Sequence, residues 1–203
     1  MKLQPLKFTL AAIAAALLVL VNAAPADGYS YAEKEDPVSV LFKSAVVAAR
    51  EGRWDDVSDM AVKGIEMQKG HIFQADSLAP LFDSAIAAKN VSKTAETFAN
   101  LLYISIREKL HQSLNEDLKH YKNAKARLGL ARKSYMDVLD GNVKKKDADR
   151  SRLIIEQFNA ALKGIGNPGL FGIGKLKPDP AAYREAVKAI ESLVIKSFPS
   201  FAG

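Results

Sequence analysis

The sequence predicts an all-α fold, a single domain of about six to seven helices in up-and-down αα-hairpins forming a helical bundle. Three observations carry that expectation. From Pro37 onward apolar residues recur at helical spacing, no stretch reads as a strand, and glycine and proline fall mainly between the periodic runs. Abundant alanine adds helix propensity.

The first residues follow another pattern. Lys2 and Lys7 precede the apolar run Phe8 to Val21, and Val21-Asn22-Ala23 offers small residues for cleavage. This is the layout of a signal peptide over residues 1–23. The run is shorter than the ~20 apolar residues a spanning helix needs. The expected division is a cleaved signal (1–23), a flexible segment (24–36) and a helical bundle domain (37–203), in a periplasmic or secreted protein. The chain has no cysteine. That removes lipoprotein anchoring, Cys-x-x-Cys-His haem attachment, thiolate metal sites and disulfides, and an exported chain without disulfides suits a bacterial periplasm.

In order, the first helix starts at Pro37 after Asp36, with Val40, Leu41, Ala45 and Ala48 inward and Gly52 as its stop. The second places Trp54, Val57, Ala61 and Ile65 on one face and ends at Gly70. The "EGRW" link between them resembles a tetratricopeptide turn, over about thirty residues and as one unit rather than an array. A second hairpin runs from Ser77 to Ser105. From Val91 to Leu139 no proline intervenes; Leu114, Tyr121, Leu128 and Tyr135 recur every seven residues, with Leu110, Ala124, Ala131 and Val138 as companions. One helix of that length would span roughly 75 Å, so a break is expected near "SLNED", with Ser113 and Glu116 at capping-box spacing. "DGNVKKKD" is expected to be a turn stopped by Gly141, with Asp147 capping the next helix, whose inward residues are Leu153, Ile154, Gln157, Phe158 and Leu162. The last helix turns Tyr183, Val187, Ile190 and Leu193 inward.

A net charge of +6 hides an asymmetry. Residues 24–118 hold ten Lys and Arg against fifteen Asp and Glu, a balance of −5, and residues 119–152 hold eleven against four, +7. The two segments either face each other or present Lys144, Lys145 and Lys146 to an anionic partner or membrane surface. A nucleic-acid role is not expected, because Tyr121 and Tyr135 belong to the heptad seam rather than to a basic stacking surface.

The loop over 166–180, "GNPGLFGIGKLKPDP", has the Gly-x4-Gly-Lys spacing of a phosphate loop. It follows a helix instead of a strand, carries Leu176 where a hydroxyl is needed, and delays the next helix with Pro178 and Pro180, so nucleotide binding is not expected. Leu170, Phe171 and Ile173, with Lys175, either cap the bundle core or form a contact patch. The three histidines are His71, His111 and His120. Glu108-x-x-His111 matches the Glu-x-x-His unit of di-iron bundles. On a helical wheel centred on Leu114, however, His111 lies about 60° away at the core boundary, while Glu108 and His120 lie about 120° away toward solvent. No Gly-x-Ser-x-Gly or paired catalytic constellation is present. The expected function is a non-catalytic envelope binding or scaffolding module with no cofactor, recognising another envelope protein or a small ligand. The alternative is metal or haem handling through Glu108, His111, His71 and His120.

Overall fold

The computed structural model describes residues 35–169 and 173–202; the expected signal peptide, and Leu170 and Phe171, lie outside them. The described residues form seven helices, and side chains close most of their first turns. α1 (Pro37–Arg50) is capped by Asp36, which accepts from the Val38 amide at 2.8 Å, and Pro37 stands where no amide partner is needed. α2 (Trp54–Glu66) follows Gly52, whose φ of +76° reverses the chain. After a 3₁₀ turn (Asp76–Leu78) come α3 (Ala79–Ala87) and α4 (Val91–Asn115), the latter capped by Asn90 on the Lys93 amide at 3.0 Å. α6 (Ala148–Gly164) and α7 (Pro180–Ser197) are capped by Asp147 and Asp179, each at 2.9 Å. Such a cap is worth about 1 kcal/mol.

The rod between α4 and α6, labelled α5, is Tyr121–Ser134, a π turn (Tyr135–Leu139) and Asp140–Lys146 in unbroken succession. This corrects the expected turn at "DGNVKKKD": Gly141 lies inside the rod, where glycine weakens a helix by about 1 kcal/mol but does not end it. The π turn inserts one residue into the 3.5-residue rhythm. The buried seam therefore passes from Leu128, Ala131 and Tyr135 to Leu139 and Val143, and the expected Val138 is only partly covered. The break between α4 and α5 falls where expected, without the capping box. Ser113 is inside α4, bonded to the Lys109 carbonyl, Glu116 pairs with Arg127, and α5 begins after His120 with no side-chain cap.

α4 is the hub, packing against α1, α2, α3, α5 and α7. Every residue from Asn100 to Ile106 is buried, so its middle has no solvent face. The outer helices are covered along one stripe only. That is why Val40 of α1 and Leu153 of α6, both expected inward, are exposed, while Leu41, Ala45, Ile154 and Phe158 are buried. α6 and α7 form the tightest hairpin. A Cβ on Gly164 would stand 2.9 Å from the Tyr183 amide nitrogen, so only glycine lets the two backbones approach this closely. α2 ends at Glu66, short of the expected Gly70, and the following turn reaches back to α4 through the Ile72 and Phe73 amides. Among the described residues there is no strand, only an isolated bridge between Asn167 and Leu176, and no helix is long and apolar enough to cross a membrane.

Candidate functional site

A cleft of about 280 Å³ opens where four segments meet: the start of α1 (Asp36, Pro37, Val38), the end of α2 and its turn (Met67, Gln68, His71), α4 (Ser105, Glu108, Lys109, Gln112) and α5 (Arg127, Leu130). Its charged groups are held by the fold. Asp36, 2% exposed, uses Oδ1 to cap α1. Its Oδ2 receives Lys109 Nζ at 2.5 Å, Ser134 Oγ at 3.3 Å and Ser105 Oγ at 3.4 Å. Asp36 was expected to end a flexible segment; these bonds make it part of the bundle. Lys109 also donates to Ser105 Oγ at 2.6 Å and to the Ser105 carbonyl at 3.3 Å, which occupies its three protons.

Glu108 corrects the expectation drawn from the helical wheel. It is 5% exposed, not solvent-facing. A wheel assumes one buried face, and the turn after α2 covers α4 on a second side. Glu108 Oε2 accepts the Ile72 and Phe73 amides at 2.9 and 3.2 Å; Oε1 accepts Gln112 Nε2 at 2.8 Å and lies 3.2 Å from His71 Nδ1. Four donors satisfy both oxygens, as a buried carboxylate requires.

Two side chains that line the cleft each keep one polar atom unpaired among the described residues. Gln68 Oε1 and Arg127 Nη1 are buried and have no hydrogen-bond partner among the described residues. Gln68 is 4% exposed, and Arg127 is held through its other terminal nitrogen by Glu116 at 2.8 Å. That bond, outweighing the opposing effect of burial, raises the Arg127 pKa further. Both side chains line the same cleft. A larger groove of about 580 Å³ runs between α1 and α2 past Val40, Met60 and Met67, but its lining contains no buried polar atom left unpaired among the described residues.

His111 belongs elsewhere. One residue round α4 from Glu108 and Gln112, the pair Arg107 and His111 faces α7, where Glu191 Oε1 lies 2.9 Å from both Arg107 Nε and His111 Nε2. The Phe73 ring closes this group, with the Arg107 guanidinium 3.9 Å from its centroid and the His111 ring edge-on at 4.9 Å. Burial pushes the Glu191 carboxyl up, but the hydrogen bonds and positive charge of His111 and Arg107 outweigh it and hold the group below its ordinary value. The Glu108-x-x-His111 pair therefore splits between two clusters. His71 joins Glu108, His111 joins Glu191, and His120 is exposed where α5 begins. Among the described residues no three His, Asp or Glu side chains gather to hold a metal ion.

The 166–180 loop is less irregular than its composition suggests. Asn167 and Leu176 exchange both backbone bonds at 2.9 and 2.8 Å, Asn167 Oδ1 accepts the Gly169 amide at 3.0 Å, and the Asp179 amide returns to the Gly164 carbonyl at 2.8 Å. These amides bond within the loop or to its base rather than forming a phosphate cradle. Ile173 is 81% exposed and Lys175 is exposed beside it. Lys144, Lys145 and Lys146 form the last helical turn of α5, where positive charge is favourable. The first two point to solvent, and Lys146 donates to the Ser197 carbonyl at 3.2 Å.

The sequence reading missed Gln68, Lys109, Gln112, Arg127 and Glu191. Asp36 was visible as a cap, yet nothing local marks which Gln or Arg of an amphipathic helix will be enclosed by a neighbour. Comparison of the chain with protein families, curated proteins and solved structures finds no match in any of the three.

Proposed function

We propose that this protein is a non-catalytic, exported binding module that holds a small ligand in the cleft between α1, the turn after α2, α4 and α5. One observation carries the reading: in a cleft whose carboxylates and lysine are fully engaged by the fold, two of the lining residues, Gln68 and Arg127, each keep a buried polar atom without a partner among the described residues. An unmade buried hydrogen bond costs about 1–3 kcal/mol, so a fold that retains two at one cleft has a place for something that completes them. The same saturation argues against catalysis. Asp36, Glu108 and Lys109 spend their oxygens and protons on amides, hydroxyls and one another, which leaves none of these three as a base or nucleophile.

The test is to recover the protein from the periplasmic fraction of an expressing bacterium and weigh it under native conditions. A processed chain carrying a small non-covalent adduct is expected. Leu130→Trp, which fills the cleft, should lose the adduct while retaining the helical circular dichroism of the parent. An unprocessed chain, or an adduct indifferent to Leu130→Trp, overturns the export or the cleft assignment respectively.

A further inference from the structure

We infer that the arm over residues 173–177 is a membrane-contact element, which seats Ile173 and Leu176 in the interface of a bilayer carrying anionic lipids. It shares no residue with the cleft. Single exposed apolar side chains are ordinary on a protein surface. These two stand three positions apart and, at 81% and 63% exposed, are the most exposed large apolar side chains among the described residues. The backbone holds them there. Asn167 and Leu176 exchange two hydrogen bonds, and a Cβ on Gly166 would stand 2.6 Å from the Leu176 carbonyl oxygen, so the returning arm lies directly against the outgoing one. Every residue from 173 to 179 is exposed, so the bundle core does not take these side chains up.

Charge selects the partner. From Gln157 to Pro178 the sequence has three lysines, Lys163, Lys175 and Lys177, and no Asp or Glu. All three are exposed, and none pairs with a carboxylate among the described residues. Asp179, the first acid after them, accepts the Ala182 amide at the start of α7. An exposed apolar pair flanked only by cations matches an anionic headgroup layer over hydrocarbon. Area argues against a protein partner. A stable protein interface takes about 800 Å² from each side, and two side chains on a narrow arm cover a small part of that. A bilayer asks for no shape complementarity, only apolar side chains to enter it and positive charge to hold them there. A free phosphate group would leave the apolar pair in water. With two apolar side chains the attachment is weak and reversible, so the lysines decide it.

The chain has no cysteine, so Ile173→Cys carries a single environment-sensitive fluorophore, and Val62→Cys on α2, at 61% exposure, carries the control. Local labels separate the arm from any other part of the chain that meets lipid. The purified full chain is titrated with vesicles of equal parts phosphatidylglycerol and phosphatidylcholine at ~0.1 M salt. The label at 173 should brighten and shift to shorter wavelength, and the label at 62 should not. Vesicles of phosphatidylcholine alone should leave both unchanged. Lys175→Gln and Lys177→Gln should each weaken the titrated affinity about fivefold. Leu176→Cys gives a second labelling position in the arm, and circular dichroism establishes that each labelled chain keeps the helical content of the parent. An equal response on neutral vesicles, the same response at 62, or an unchanged affinity in both lysine variants overturns the assignment. Silence of both arm labels on anionic vesicles also overturns it. An arm label that brightens with rising protein concentration alone, and not with lipid, replaces the bilayer with a second copy of the chain. None of these outcomes alters the adduct test of the cleft, so the two readings fail separately.

Discussion

The two polar clusters on adjacent stripes of α4 use similar residues to different ends. On one stripe, Arg107 and His111 meet Glu191 under the Phe73 ring, and their interactions converge on a single carboxylate oxygen. On the other, Glu108 and Gln112 stand with His71 and Lys109 around a cleft lined also by Gln68 and Arg127, each with one buried polar atom unpartnered among the described residues. One residue, Phe73, serves both, giving its amide to Glu108 and its ring to Arg107. The difference teaches that residue type alone does not mark a site. A histidine beside a glutamate occurs on both stripes; what separates the stripes is whether every buried donor and acceptor has been spent.

The largest expected effect tests whether Glu108 holds the cleft together. Glu108→Ala leaves the Ile72 and Phe73 amides without their acceptor and should cost about 3 kcal/mol, a fall in melting temperature of roughly 6–12 °C for a chain of this size. Thermal unfolding by circular dichroism measures it, and a fall of under about 2 °C would mean the turn after α2 does not depend on this carboxylate.

Glu191→Gln tests the opposite stripe and should cost about 1 kcal/mol at neutral pH. Because the folded-state pKa of Glu191 lies below its ordinary value of 4.5, the stability it contributes is present above that value and is lost as pH falls through the lowered folded value. Wild type and variant should therefore be separated at neutral pH and converge in acid. Denaturant titrations across that range check the sign, and a gap that widens on acidification would contradict the arrangement.

The smallest effect lies away from both stripes. Gly141 is exposed within α5, and a Cβ there would meet nothing within 4 Å. Gly141→Ala should stabilise the protein by about 0.5–1 kcal/mol, providing a stabilised background in which Leu130→Trp can be compared with the parent. A loss of stability would place the rod's end differently from the structure described here.

Much of the fold was legible because its signals are local. Asp36-Pro37, Asp147 and Asp179-Pro180 mark helix starts, and the stripes Ala45–Ala48, Val57–Ala61 and Tyr183–Val187–Ile190 are buried as their spacing implies. Periodicity failed where more than one side of a helix is covered, as at Glu108, and where the rhythm itself changes, as at the π turn that replaces Val138 with Leu139 in the seam.

The sequence by itself determined the all-helical class, the cysteine-free chemistry and most of the caps, since propensity, capping and apolar spacing act over a few neighbouring residues. Tertiary structure alone decided which polar groups share a space. Asp36, Gln68, Glu108 and Arg127 come from four separate segments, and only packing around α4 brings them to one cleft. Whether a buried polar atom is satisfied depends on what reaches it through space, and that information is not carried by the residues beside it in the chain.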